Sequence, residues 1–193
     1  MRHRKKSIWQ KAVENQLPHW KKRTRRLLPG LYYCLATLCA VTVILVLFST
    51  LFRPCTVQGN SMIPTLQNGD QLLLSNLNYQ PKAGDIVAIR REGDTPLIKR
   101  VIALEGDTLF IDPESGEVYR NGTLLDEPYL TVKTPAVQAV GKITVPKGMV
   151  FVMGDNRVNS HDSRYADIGP VAVEDILGKA VWRLYPLSRF GSV

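Results

Sequence analysis

The chain has 193 residues, of which 45% are hydrophobic, and it carries a formal net charge of +8. This length suits one apolar anchor and one domain with a core large enough to fold unaided, so we expect no second domain. Ten Lys or Arg and the single acid Glu14 fall within residues 1–26, so the rest of the chain is close to neutral, which argues against a globular domain with a basic nucleic-acid surface.

Residues 1–30 form a basic segment that we expect on the cytoplasmic side of a membrane. Apolar residues recur there at helical spacing, at Ile8, Trp9, Ala12, Val13 and Leu17, and Pro18 ends the pattern. The pattern is typical of a short amphipathic helix lying on anionic headgroups, although a solvated basic tail accounts for it equally well. Nucleic-acid binding is the weaker interpretation, because a basic cluster beside an apolar span is already explained by membrane topology.

The apolar span that follows, residues 31–52, is predicted to be a transmembrane helix. Its 22 residues contain no charge, and at about 1.5 Å per residue they cover the ~30 Å hydrocarbon core. A cleavable signal peptide would have an apolar region of about 7–15 residues and then a small-residue cleavage site, whereas Leu51-Phe52-Arg53-Pro54 stands here. We therefore expect an uncleaved, single-pass anchor, with its N-terminus in the cytoplasm because the positive charges precede it.

Residues 53–193 are predicted to form one extracytoplasmic, mainly β domain of antiparallel sheets. From residue 55 the apolar pattern has a period of two, interrupted by turn residues. The candidate strands are Leu72–Leu74, Asp85–Arg90, Ile98–Ala103, Thr108–Ile111, Glu117–Tyr119, Thr123–Leu125, Lys142–Val145, Met149–Met153 and Leu177–Leu184. Asn121-Gly122 predicts a type I′ hairpin turn, and residues 113–146 are expected to form a peripheral hairpin and loop.

The three cysteines, Cys34, Cys39 and Cys55, lie in or just after the apolar span. The β domain is therefore predicted to have no disulfide framework, and no Cys or His spacing in the chain is that of a zinc site. We expect neither a metal nor a cofactor.

Ser61 lies in a tight turn bounded by Gly59 and Pro64. A serine hydroxyl is a weak nucleophile until a neighbouring base takes its proton. His161 is the only histidine beyond the apolar span, so a Ser-His-Asp arrangement would have to use it. Most loop serines only form hydrogen bonds in turns, so Ser61 depends on the base that the rest of the chain supplies.

Lys99 is the other candidate base. Strand alternation places its side chain on one face with Leu97 and Val101, which is an unusual setting for a lysine. A lysine must be neutral to accept a proton, so its pKa would have to fall from about 10.4 by about 2–3, which burial among apolar side chains can cause. The alternative is a lysine whose stem covers the core while its ammonium reaches water.

A polar run, residues 154–164, directly follows the apolar strand Met149–Met153. Its composition fits a hydrated loop. It also fits a segment whose acids and hydroxyls hold two neighbouring cationic side chains.

Together these segments resemble the bacterial type I signal peptidases, or leader peptidases, of peptidase family S26. The resemblance rests on Ser61-Met62-Ile63-Pro64-Thr65-Leu66, Gly84-Asp85-Ile86-Val87, Ile98-Lys99-Arg100-Val101-Ile102 with Glu105-Gly106-Asp107, and Met153-Gly154-Asp155-Asn156-Arg157 through Ser163-Arg164. It implies the family's mainly β fold and a serine endopeptidase that uses a Ser-Lys dyad without a metal. It also implies removal of signal peptides from exported preproteins at the outer face of the plasma membrane, by cleavage after small residues of the Ala-X-Ala type.

The resemblance assigns Ser61 as the nucleophile and Lys99 as the general base, with Ser160 as the serine that orients the lysine. The oxyanion would be bound by the Ser61 backbone N–H. Gly59 departs from those relatives that place a serine donor two residues before the nucleophile. The implied supporting pairs are Asp155 with Arg100 and Asp162 with Arg164. The side chains expected to border shallow apolar substrate pockets are Val57, Met62, Leu97 and Ile98.

Two other functions are compatible with parts of the sequence. The first is a Ser-His-Asp hydrolase that uses His161. The second is a membrane-anchored β binding module or inactive export scaffold, which would be expected to lack one member of the dyad. The expected partners are preproteins with signal peptides and the phospholipid membrane, and no nucleic acid.

Overall fold

A computed structural model describes residue 9 and residues 19–77, 79–91, 95–135 and 140–193, with the backbone alone for residues 19–29. The amphipathic pattern at residues 8–17 lies outside these residues apart from Trp9, so that expectation stays a prediction. The chain divides into two units, with the boundary between Thr50 and Leu51.

Helix α1 spans His19–Leu51. Its segment Gly30–Leu51 is the one part of the described residues that forms a helix long and apolar enough, by length and composition, to cross a membrane. The hydroxyls of Thr37 and Thr42 donate to backbone carbonyls one turn earlier, at 3.0 and 2.8 Å. These bonds satisfy the two hydroxyls within the helix, as a hydrocarbon environment would require. The helix ends one residue before the predicted boundary, because Phe52 already belongs to the first strand.

Residues 51–193 fold into two antiparallel sheets. The twelve strands of the described residues are β1 (Phe52–Thr56), β2 (Gln71–Ser75), β3 (Ile86–Ile89), β4 (Leu97–Ala103), β5 (Thr108–Ile111), β6 (Val118–Arg120), β7 (Thr123–Leu124), β8 (Ile143–Thr144), β9 (Met149–Met153), β10 (Val171–Ala172), β11 (Ile176–Tyr185) and β12 (Gly191–Ser192). Single turns of 3-10 helix occupy Arg157–Asn159, Val173–Asp175 and Leu187–Arg189. The larger sheet has the order β1-β2-β11-β3-β4-β9-β10, with β12 paired to β11, and the smaller has the order β7-β6-β5-β8.

This architecture confirms the predicted fold class, a mainly antiparallel β domain after one N-terminal apolar helix. Three strands, β1, β10 and β12, have no predicted counterpart. Arg53 and Pro54 interrupt the apolar pattern of β1, and its proline is tolerated because β1 lies at an edge of the sheet. β10 and β12 have two residues each, and unlike the equally short β7 and β8 they are not part of a longer predicted strand.

The Asn121-Gly122 turn connects β6 to β7, with positive φ angles of 54° and 78°. These angles have the signs that a type I′ turn requires, as the Asn-Gly pair predicts. The smaller sheet also includes β5, so it begins before residue 113, where the peripheral hairpin and loop were expected to begin.

Among the described residues, the buried apolar side chains of the β domain form three clusters, and β4 contributes to all of them. Ile98 packs in the cluster that contains Met62, Val101 packs in a second, and Ile102 packs with Leu109 of the smaller sheet in the third. The packing of the domain therefore converges on β4.

Replacing Leu109 with Ala should destabilise the domain by about 2–5 kcal/mol, because a side chain with 0% exposure leaves a cavity when it is truncated. The matched control is Leu124→Ala in β7, whose side chain is 49% exposed and should change the free energy of unfolding by less than about 0.5 kcal/mol. Urea unfolding of the full chain in detergent measures both. Equal losses in the two variants would contradict this account of the core.

Candidate active site

Ser61 is held in a turn that buried side chains anchor to the core. Met62 and Leu66 are both buried, and the Leu66 N–H donates to the Met62 carbonyl at 2.9 Å. Gly59 has a φ of +81°, which favours glycine, and its N–H donates to Asn68 Oδ1 at 2.9 Å. Ser61 itself is partly exposed, so its hydroxyl is available to a substrate.

Lys99 projects from β4 and is only 3% exposed. Its Nζ lies 2.7 Å from Ser61 Oγ. Burial lowers the pKa of Lys99 to about 8, while the charge of Asp162 raises it and the charges of Arg164 and Arg91 lower it further. A substantial fraction of the amine is therefore neutral near pH 8, and in that form Nζ can accept the serine proton.

Gly154, the first residue after β9, allows Ser61 to approach. A Cβ at this position would overlap the Ser61 carbonyl oxygen and the Ser160 side chain. The Ser61 carbonyl also accepts a hydrogen bond from the Asn156 N–H at 2.9 Å, and Asn156 Nδ2 donates to the Asn60 carbonyl at 3.0 Å. The turn and the end of β9 are thus fixed to each other through their backbones.

Asp162 organises the buried side of the polar loop. It accepts hydrogen bonds from Arg164 Nε and Nη2 at 2.8 and 2.9 Å and from the Gly154 N–H at 2.9 Å. Burial alone would raise the pKa of Asp162, but the bonds and charge of Arg164 outweigh burial and lower it. The Asp162 carboxylate therefore stays ionised next to the site.

The hydroxyl of Ser160 is oriented by Asp162. It donates to Asp162 Oδ2 at 2.7 Å, and the described residues show no hydrogen bond between Ser160 and Lys99. A hydroxyl that donates to a carboxylate keeps its lone pairs, so this bond leaves Ser160 Oγ able to accept a hydrogen bond from an amine. A direct role of Ser160 in orienting Lys99 stays a prediction.

Asp155 and Arg100 form a bidentate pair, with Nε–Oδ1 and Nη2–Oδ2 distances of 2.8 and 2.6 Å. Thr65, in the Ser61 turn, donates its hydroxyl to Asp155 Oδ2 at 2.5 Å. Arg100 also donates to the Gly84 carbonyl at 2.8 Å. The pair thus links β4 to the turn that carries the serine.

The four side chains predicted to border substrate lie in two places. Val57, Met62 and Ile98 are buried together in one core cluster. Leu97 lines a cavity of about 400 Å³ that Lys99 also borders. Contact of these residues with a substrate stays a prediction.

His161 does not pair with Ser61 among the contacts of the described residues. Its Nε2 lies 2.7 Å from Asp167 Oδ2, and its ring packs on that of Tyr165. The histidine is exposed, whereas the lysine is enclosed. The geometry therefore offers Lys99 as the base for Ser61.

Sequence reasoning missed the parts played by Thr65 and Gly154. Both residues fall within motifs quoted above, but nothing local shows that Thr65 reaches Asp155 across 90 positions of the chain. The glycine after an apolar strand could have suggested a close backbone approach.

Replacing Lys99 with Met should stabilise the folded domain at neutral pH. The lysine has a pKa of about 10.4 in an unfolded chain and about 8 in the fold, so below about pH 8 burial of the ammonium costs up to about 3 kcal/mol. The gain should shrink as the pH rises from about 8 to about 10, because native Lys99 then loses its proton.

Urea unfolding of the full chain and of the Lys99→Met variant, in the same detergent across this pH range, measures the difference. A Met variant less stable than the original chain at about pH 7 would contradict the expected cost of burying the ammonium.

Comparison with known proteins places this site in a family. Residues 31–185 match the family model described as signal peptidase, peptidase S26. Signal peptidase I T of Bacillus subtilis is 36% identical over 166 residues, covering 80% of this chain and 84% of that protein. The probable signal peptidase I-1 of Synechocystis is 36% identical over 167 residues, covering 79% of this chain and 82% of that protein.

Among solved structures, a signal peptidase I from Enterococcus faecalis is 32% identical, and the match covers 53% of this chain and 98% of that chain with a TM-score of 0.46. The family model spans most of the chain, and it matches a region that contains Ser61 and Lys99. The resemblance found in the sequence is confirmed: the chain belongs to the signal peptidases of peptidase family S26.

Proposed function

We propose that this signal peptidase removes N-terminal signal peptides with Ser61 as its nucleophile and Lys99 as its general base. The observation that carries the proposal is the 2.7 Å separation between Lys99 Nζ and Ser61 Oγ, with the lysine almost completely buried. A buried amine at hydrogen-bond distance from a hydroxyl meets both requirements of a general base, which are reach and a lowered pKa.

In the proposed reaction, neutral Lys99 accepts the Ser61 proton as Oγ forms a bond to the scissile carbonyl carbon. The tetrahedral intermediate then collapses, the C–N bond breaks, and the ammonium of Lys99 returns the proton to the leaving amine. Water next attacks the acyl-enzyme with Lys99 again as base. This step releases the signal peptide and restores the serine.

The oxyanion is proposed to bind the Ser61 backbone N–H. Among the hydrogen bonds of the described residues this N–H has no acceptor, whereas the N–H groups two residues before and after it, of Gly59 and Ile63, have one each. A donor that is fixed and unpaired before substrate binds is suited to stabilise developing negative charge. Gly59 contributes no side-chain donor to this site.

The substrates are proposed to be exported preproteins that carry small residues before the scissile bond. The small exposed surfaces of Val57, Met62 and Ile98, which are 3%, 1% and 6% exposed, are proposed to line the subsites beside the Ser61 turn. Shallow apolar subsites of this kind would admit Ala and exclude bulky side chains. Leu97 would contact the substrate from the cavity beside Lys99.

Gly30–Leu51 is proposed to anchor the enzyme in the plasma membrane as a single span. The basic residues 1–26 precede it, and the positive-inside rule then places them in the cytoplasm and the β domain outside. Signal peptides emerge on that side of the membrane, so the partners are preproteins and the lipid bilayer.

Ser61→Ala and Lys99→Ala should each lower kcat/KM on a defined preprotein by roughly 10³-fold or more, because either change removes the nucleophile or its activation. The activity of the original enzyme should rise with pH through about 8, where Lys99 loses its proton. Cleavage assays in detergent with matched circular dichroism spectra test both expectations.

His161→Ala is the control and should retain activity within about threefold, since His161 pairs with Asp167 away from the serine. Full activity of Lys99→Ala together with an inactive His161→Ala would replace the proposed dyad with a Ser-His-Asp mechanism.

Gly154→Ala should lower activity by about 10²-fold or more, because the added methyl group would displace the Ser61 carbonyl and Ser160. Gly141→Ala is the matched control: apart from its chain neighbours, no atom of the described residues lies within 4 Å of the position that its added methyl group would take, so its activity should not change. Unchanged kcat/KM in Gly154→Ala would show that the close backbone approach does not matter.

A further inference from the structure

The segment between β7 and β8 reaches the active site through two side chains, Glu127 and Tyr129, which we call the brace. The Arg100 guanidinium carbon lies 4.0 Å from the centroid of the Tyr129 ring. The Tyr129 hydroxyl donates to Glu127 Oε1 at 2.7 Å, and Glu127 accepts hydrogen bonds from both Nη atoms of Arg157. The brace therefore holds two arginines that belong to other parts of the chain.

Arg157 depends on Glu127. Its side chain has 0% exposure, its Nε donates to the Gly154 carbonyl at 3.2 Å, and its Nη1 donates to Thr134 Oγ1 at 3.0 Å. Removing the carboxylate would leave a buried guanidinium without a counter-charge, which is strongly unfavourable. Glu127 thus fixes Arg157. This arginine donates to the carbonyl of Gly154, the residue that lies against the Ser61 carbonyl.

Arg100 depends on Tyr129 in a different way. Its planar guanidinium donates two parallel hydrogen bonds to the Asp155 carboxylate. Both bonds can form only when the plane of the guanidinium is aligned with the carboxylate. The aromatic ring lies over the guanidinium and favours that orientation through cation–π attraction. Asp155 in turn accepts the Thr65 hydroxyl in the Ser61 turn.

We propose that Tyr129 and Glu127 are positioning residues that hold Ser61 in line with Lys99 through Arg100 and Arg157. The inference rests on the proposed roles of Ser61 and Lys99. Among the contacts of the described residues, neither brace side chain hydrogen-bonds to Ser61 or Lys99, so the effect is transmitted by the two arginines. The smaller sheet then supports catalysis although its own strands lie outside the site.

The test is a kinetic comparison of Tyr129→Leu, Tyr129→Phe and Glu127→Gln on the preprotein used above. Tyr129→Leu should lower kcat at least tenfold with KM within twofold, because the reacting groups lose alignment while the substrate surface is unchanged. Tyr129→Phe keeps the ring over Arg100 and should restore activity to within about threefold. Glu127→Gln should lower kcat like Tyr129→Leu.

The pH profile separates positioning from loss of folded protein. A loosened site admits water to Lys99 and so raises the pKa of its amine, which moves the acidic limb of the kcat profile to higher pH. Partial unfolding instead lowers kcat by the same factor at every pH. An acidic limb that moves upward in Tyr129→Leu supports the proposal. A fall in kcat that matches the unfolded fraction, with an unmoved limb, overturns it.

Tyr119 and Glu117 provide the matched control in the same sheet. The Tyr119 hydroxyl donates to Glu117 Oε2 at 3.0 Å, and Glu117 pairs with Lys133 rather than with an arginine of the site. Tyr119→Leu and Glu117→Gln should leave kcat unchanged, and losses equal to those of the brace variants would overturn the proposal. Active Tyr129→Leu with inactive Ser61→Ala would refute the brace alone, while active Ser61→Ala would refute the proposed function.

Discussion

An amine acts as a base only when it is neutral, and this fold favours the neutral form of Lys99 by enclosing it. The lysine lies in β4, which has β3 on one side and β9 on the other and contributes side chains to all three core clusters. Desolvation is the largest cause of its lowered pKa. The packing of the whole β domain therefore sets the chemistry of one nitrogen atom.

Burial is the largest influence on this pKa, and the neighbouring charges act on it in both directions. Among the described residues, three arginines near the Ser61–Lys99 pair each have their own acid: Arg100 pairs with Asp155, Arg157 with Glu127 and Arg164 with Asp162. The charge of a fourth, Arg91, also lowers the pKa of Lys99. Paired charges of opposite sign have a weak combined field at a distance. Asp162 and Arg164 accordingly act on the pKa of Lys99 in opposite directions.

Sequence reasoning could predict the features that local pattern encodes. The alternation around Lys99 indicated its apolar face, Asn121-Gly122 indicated its turn, and four ordered motifs indicated the family. It could not predict that Glu127 and Tyr129 lie against arginines elsewhere in the chain, because a loop of mixed polar residues has no period. Nor could it predict that the Ser160 hydroxyl donates to Asp162, since the backbone conformation of the polar loop, which local pattern does not determine, brings the two side chains together.

The contact between the Ser61 carbonyl and the Asn156 N–H joins positions far apart in the sequence. A chain made from its N-terminus presents its serine early, long before the polar loop that fixes the turn. A partly synthesised chain would thus contain Ser61 and Lys99, the proposed reacting residues, without the backbone that fixes the turn. With the proposed dyad, the order of synthesis would delay proteolytic competence until the chain has been translated past Asn156.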